Sequence, residues 1–143
     1  SANLTGALPA ISGAALTGIV TGSLTLLGTL TTTSGTTQTL SGLTLTSYKQ
    51  IFAVFKNVSS NTASAATLQL NSIGGDDIST NQDSSYQFKG FCTIDLASGV
   101  VVSLVNTTKM FVQTTITTAS TSITFAFSDG SFDLGTITVY GVQ

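Results

Sequence analysis

The sequence predicts an all-β fold: an antiparallel β-sandwich, jelly-roll-like, with about eight strands, preceded by an extended intertwined β neck. Three observations carry this expectation. Ser and Thr make up about a third of the 143 residues, and Thr fits the pleated surface of a sheet better than the crowded turn of a helix. Several short runs alternate apolar and polar residues, the period of strands with one buried face. Gly-, Asn- and Asp-rich turn signals separate these runs, and no segment carries a helical period.

The chain changes texture near Gly42, which divides it into residues 1–42 and 43–143. The first part contains no Asp, Glu, Lys or Arg; the first charge in the chain is Lys49. Apolar residues nevertheless recur through it, too many for a disordered linker. Gly and Thr disfavour a helix there and also interrupt any membrane span. Gly28, Gly35 and Gly42 fall at seven-residue steps in GTLTTTS, GTTQTLS and GLTLTSY. A single extended chain of this kind cannot bury its own leucines, whereas several copies wound about one axis can. Leu8, Ile11, Leu16, Ile19, Leu24, Leu26 and Leu30 are the residues expected at that interchain interface. The other arrangement open to them is an irregular arm packed on its own domain.

In the second part, strands are expected near 43–48, 50–58, 65–73, 85–95, 99–105, 109–118, 122–128 and 134–142. Ala66, Leu68 and Leu70 oppose Thr67, Gln69 and Asn71. Met110, Val112 and Ile116 oppose Lys109 and Gln113; Ile123, Phe125 and Phe127 oppose Ser122 and Thr124; Ile137 and Val139 oppose Thr136 and Thr138. Ala97-Ser98-Gly99 marks a break, and Ser128-Asp129-Gly130-Ser131 reads as a hairpin turn, because Asp-Gly accepts positive φ. Two runs depart from the one-face pattern. QIFAVFKNV is apolar on both faces, and Phe91 shares a face with Gln87, Lys89 and Thr93. Phe52 and Phe91 therefore point to a second burial surface, of the kind another subunit covers.

Composition narrows the chemistry. Charged residues are 7% of the chain, against about a quarter in ordinary domains. With four lysines and no arginine, there is no electrostatic footprint for nucleic acid and no polybasic cluster for a membrane surface. The lack of His and Glu removes the usual nucleophile–base arrangements. No catalytic residue, cofactor or metal site is expected; the spacing of Asp76, Asp77 and Asp83 does not fit a twelve-residue Ca²⁺ loop. Cys92, the single cysteine, sits in a strand pattern as a small buried apolar residue. The longest polar connection, GGDDISTNQDSSYQ from Gly74 to Gln87, gathers Asp76, Asp77, Asn81, Gln82, Asp83 and Tyr86. Amides and carboxylates hydrogen-bond sugar hydroxyls and a tyrosine ring stacks on a pyranose, so these six are the candidate receptor-binding residues.

LPAISGAALTGI resembles a motif of the shafts and necks of tailed-bacteriophage tail fibres. SYKQIFAVFKNVSS and GTITVYGVQ resemble the opening and closing strands of β-sandwich tip domains in phage fibres and other virion proteins. The resemblance covers both ends of the chain and leaves roughly the middle third unmatched. It implies a homotrimeric, non-enzymatic receptor-binding tip at the distal end of a virion tail fibre. Residues 1–42 would then form the neck and 43–143 the tip. The implied partner is a bacterial surface polysaccharide or outer-membrane protein, with no nucleic acid and no membrane insertion. A chain that begins Ser1-Ala2 is expected to be part of a longer protein. Two other readings stay open on the residues alone: a monomeric carbohydrate-binding module of a bacterial enzyme or adhesin, and a virion decoration protein.

Overall fold

The computed structural model describes residues 23–71, 75–81 and 85–143. The expectations for Leu8, Ile11, Leu16 and Ile19, and for Gln82 and Asp83, lie outside these residues. Ten strands are found among those described: β1 (Leu24–Thr31), β2 (Thr37–Ser41), β3 (Gln50–Ser60), β4 (Leu68–Leu70), β5 (Asp76–Asp77), β6 (Phe88–Asp95), β7 (Val100–Val105), β8 (Thr108–Gln113), β9 (Ser122–Phe127) and β10 (Phe132–Val142).

They form two antiparallel sheets, one ordered β1-β10-β3-β6-β7-β8 and the other β2-β9-β4-β5. The pairing nests from the ends inward: β1 with β10, β2 with β9, β3 with β6, β4 with β5. With β10 also beside β3 and β9 beside β4, this is the eight-strand jelly roll. The hairpin β7–β8 extends its larger sheet beyond β6. The all-β sandwich expected from the alternation is thus the observed architecture.

Alternation decides which side chains fill the space between the sheets. Ile51, Ala53 and Phe55 of β3, Cys92 and Ile94 of β6, and Ile137 and Val139 of β10 point inward from the larger sheet. Leu68 and Leu70 of β4 and Ile123, Phe125 and Phe127 of β9 meet them from the smaller one. Aromatic rings stitch the two layers. Phe55 meets Phe125 edge-on at 5.7 Å, and Phe127 lies 5.4 Å from Phe88 and 4.6 Å from Phe132. Truncating such a ring to alanine costs about 3–5 kcal/mol, which is a large part of a domain's stability.

Three expectations are corrected. The change of texture near Gly42 is not a boundary in the fold, because β1 and β2 belong to the two sheets and Leu27, Leu30 and Leu40 pack against the core. The reason is that uncharged, Thr-rich strands need not be interchain strands; here β10 and β9 supply their partners. Residues 43–48 form no strand. Leu43 and Leu45 turn inward as a buried plug, and the Tyr48 N–H donates to the Leu45 carbonyl at 3.1 Å to close a tight turn. The Tyr48 ring then lies on β10 at Gly141, where a Cβ would come within 2.5 Å of it. Finally, Asp129-Gly130 is a turn but not a hairpin. Gly130 adopts the expected positive φ of 78°, yet β9 and β10 lie in different sheets, so the turn arches across the sandwich.

Candidate functional site

The described parts of the Gly74–Gln87 connection, residues 75–81 and 85–87, do two separate jobs. The first part closes an open side of the sandwich. β5 pairs with β4, the buried Ile78 N–H donates to the Leu68 carbonyl at 2.8 Å, and the Ser103 hydroxyl donates to the Ile78 carbonyl at 2.8 Å. Ser79 is buried as well, and its hydroxyl oxygen accepts the Leu68 N–H at 2.7 Å. Asp77 is committed to this work: one of its carboxylate oxygens accepts from Thr67 Oγ1 at 2.6 Å and from Gln69 Nε2 at 2.8 Å. Asp76 is half-buried beside it on β5, and Asn81 is exposed.

Residues 85–87 open onto a cleft. Ser85, Tyr86, Gln87, Lys89, Asn106 and Thr107 line an open depression of about 460 Å³. Its floor is built where β6 meets the β7–β8 turn. Asn106 takes a positive φ of 54°, a conformation asparagine tolerates. From there its N–H donates to the Lys89 carbonyl at 2.7 Å while its side-chain oxygen accepts the Lys89 N–H at 3.0 Å. This reciprocal pair fixes the lysine and the turn in one rigid unit. Tyr86 lines the same cleft with 54% of its surface exposed. Lys89 is the only charged side chain among the described lining residues, so the cleft offers a flat ring, amides, hydroxyls and a cation.

Of the four described residues among the six singled out by sequence, Tyr86 lines this cleft; Asp76, Asp77 and Asn81 are not among its lining residues. Ser85, Gln87, Lys89, Asn106 and Thr107 were missed. The signal that would have found Asn106 is an asparagine between two apolar runs, VVVSLV and KMFV, where a tight turn needs positive φ.

Of the residues expected to face another chain, Leu24, Leu26, Phe52 and Phe91 lie on the side of the larger sheet that turns away from the core. Leu30, opposite the buried Ile137, turns inward and packs on the core instead. Among the described residues no helix is long and apolar enough to cross a membrane, and no three of His, Cys, Asp and Glu cluster as a metal site. No protein-family model matches the chain, and no curated protein matches it.

Proposed function

We propose that this chain is the non-enzymatic, homotrimeric tip of a bacteriophage tail fibre, at the distal end of the virion, which attaches to a receptor on the bacterial surface. One observation carries the reading: the sandwich has an entry end and a presenting end. Leu24, where β1 begins, sits beside Val142, where β10 finishes, with Gln50 and Asp95 in the same row. The cleft at Lys89 and Asn106 lies at the other end of the larger sheet, roughly 20 Å away at about 3.3 Å per residue along β6. A domain tethered at one end and open at the other is the geometry an attachment tip requires.

The chemistry of the cleft favours a surface polysaccharide as receptor. Tyr86 offers a face for a sugar ring, Gln87, Asn106 and Thr107 offer partners for hydroxyls, and Lys89 favours residues bearing carboxylate or phosphate. Three copies of a weak site on one rigid body bind a repeating polymer with avidity that one copy lacks.

Titration of the protein with purified bacterial surface polysaccharides tests this. Tyr86→Ala, removing a stacking ring worth roughly 1.5 kcal/mol, is expected to weaken binding about tenfold without lowering Tm. Equal binding by the variant would remove the cleft from the proposal. The same cleft chemistry carries a second reading: a carbohydrate-binding module acting as a monomer. Tight glycan binding by a monomeric protein would favour it.

A further inference from the structure

The two sheets turn very different surfaces outward. On the smaller sheet the outward positions are Thr37, Thr39 and Ser41 of β2, Ser122, Thr124 and Ala126 of β9, Gln69 of β4 and Asp77 of β5. Polar side chains among them hydrogen-bond to one another: the Thr39 and Thr124 hydroxyls are 2.9 Å apart, and Gln69 donates to Asp77 at 2.8 Å. This face is polar and is exposed along β2 and at Ser122, while Gln69 and Ala126 on it are buried.

The larger sheet differs. Its register sets Leu26, Tyr140, Phe52, Thr93, Val102 and Phe111 in one row across all six strands. The next row is Thr29, Thr138, Val54, Phe91, Leu104 and Lys109. Phe52 meets Phe91 at 5.4 Å and Tyr140 at 6.4 Å, so the centre of the face is an aromatic cluster. Leu26 is 59% exposed and Phe111 70% exposed at its two flanks. Charges stand at the margins, with Lys56, Lys89 and Lys109 towards one end of the strands and Asp95 towards the other.

We propose that this face is where copies of the chain meet. The inference rests on the homotrimer of the proposed function and names the surface that holds it. Six strands at about 4.8 Å spacing and two to three outward rows make a patch of roughly 400–600 Å² in plan. That matches the largest apolar patches of monomers, which are often functional, and is about half to three-quarters of the ~800 Å² that each partner gives to a stable interface. Aromatic anchors at the centre and charges at the rim match the anatomy of such an interface. The surface is a sheet face rather than a groove, and its rows hold few groups for a polar polymer, so a second apolar β surface is the occupant it fits. The chain itself supplies that surface in every copy. The polar outer face of the smaller sheet rules out composition alone as the cause.

Light scattering on a sizing column, with Leu26→Lys and Phe111→Lys variants, tests the proposal. The unmodified chain is expected at three times 14.5 kDa, and the double variant at one, with unchanged circular dichroism. A variant that stays trimeric overturns the face and leaves the homotrimer standing. A monomeric unmodified protein overturns both. Hydroxyl-radical footprinting of the unmodified trimer gives an answer even if the variant fails to fold. Phe111 and Tyr140 should be protected and Tyr86 labelled; labelling of all three to their exposure in the single chain overturns the proposal.

Discussion

Cys92 shows how completely one position is determined by its neighbours. It faces inward on β6 opposite Ala53, with no exposed surface. Burial pushes its thiol up to about 12 from 9.0, a hydrogen bond with the Ala53 backbone opposing only part of the rise. Because the folded value is raised, the stability tied to it is complete below pH 9.0 and is lost as pH climbs towards 12. Replacing Cys92 with Ala should therefore flatten the alkaline arm of the stability profile, by up to about 1.4 kcal/mol per pH unit. Denaturant melts across that range measure the difference. The same burial should leave the thiol unreactive towards disulfide reagents until the protein unfolds. This residue was legible because YQFKGFCTI places it in phase with Phe88 and Ile94. Phe111 was not legible. Alternation puts it on the face of Lys109 and Gln113, and a phenylalanine on a polar face makes sense only once the rows of neighbouring strands are known.

At the level of strands and turns, local chemistry fixed what is local. The Asp95 carboxylate accepts the N–H of Ala97 at 3.0 Å, the N–H of Ser98 at 2.8 Å and the Ser98 hydroxyl at 2.9 Å, while Gly99 takes a positive φ of 72°. The hydrogen bonds from Ser98 hold the carboxyl below its usual 3.8. With a depressed folded value, the turn gains its stability above that pH and loses it as pH falls through the native pKa. Asp95→Ala is expected to lower Tm at neutral pH and to melt like the unmodified protein in strong acid; thermal melts at both conditions check this. Ala97-Ser98-Gly99 could be read as a break because the groups that cap the Asp95 carboxylate lie within three residues of it. Asp129-Gly130 gave the right φ and the wrong destination, since the strands it joins find their partners far along the chain. The place of β1 in the sandwich escaped notice for a related reason. The bulge between Leu26 and Gly28 turns Leu24 and Leu26 outward but Leu27 and Leu30 inward. Its leucines therefore fall on both faces, and the period of two is erased.

Across the whole molecule, the jelly roll makes the first strands as necessary as the last. Removing residues 1–42 takes away β1 and β2 and leaves the ladders of β10 and β9 open, so that chain should lose its cooperative melt and aggregate. A chain starting at Ser23 retains every strand described and should melt cooperatively; circular dichroism of the two truncations distinguishes them. Composition alone placed that boundary at Gly42, because charge vanishes where β1 and β2 begin to depend on partners a hundred residues away. The pairing of β1 with β10 has a mechanical meaning as well. β1 starts at the entry end and runs to Thr31 near the far end, held to β10 from Val142 to Thr136. A pull on the chain ahead of Leu24, resisted at the cleft, acts along the strands. Under such a load the cross-strand bonds of β1 and β10 would act together in shear instead of peeling apart one by one.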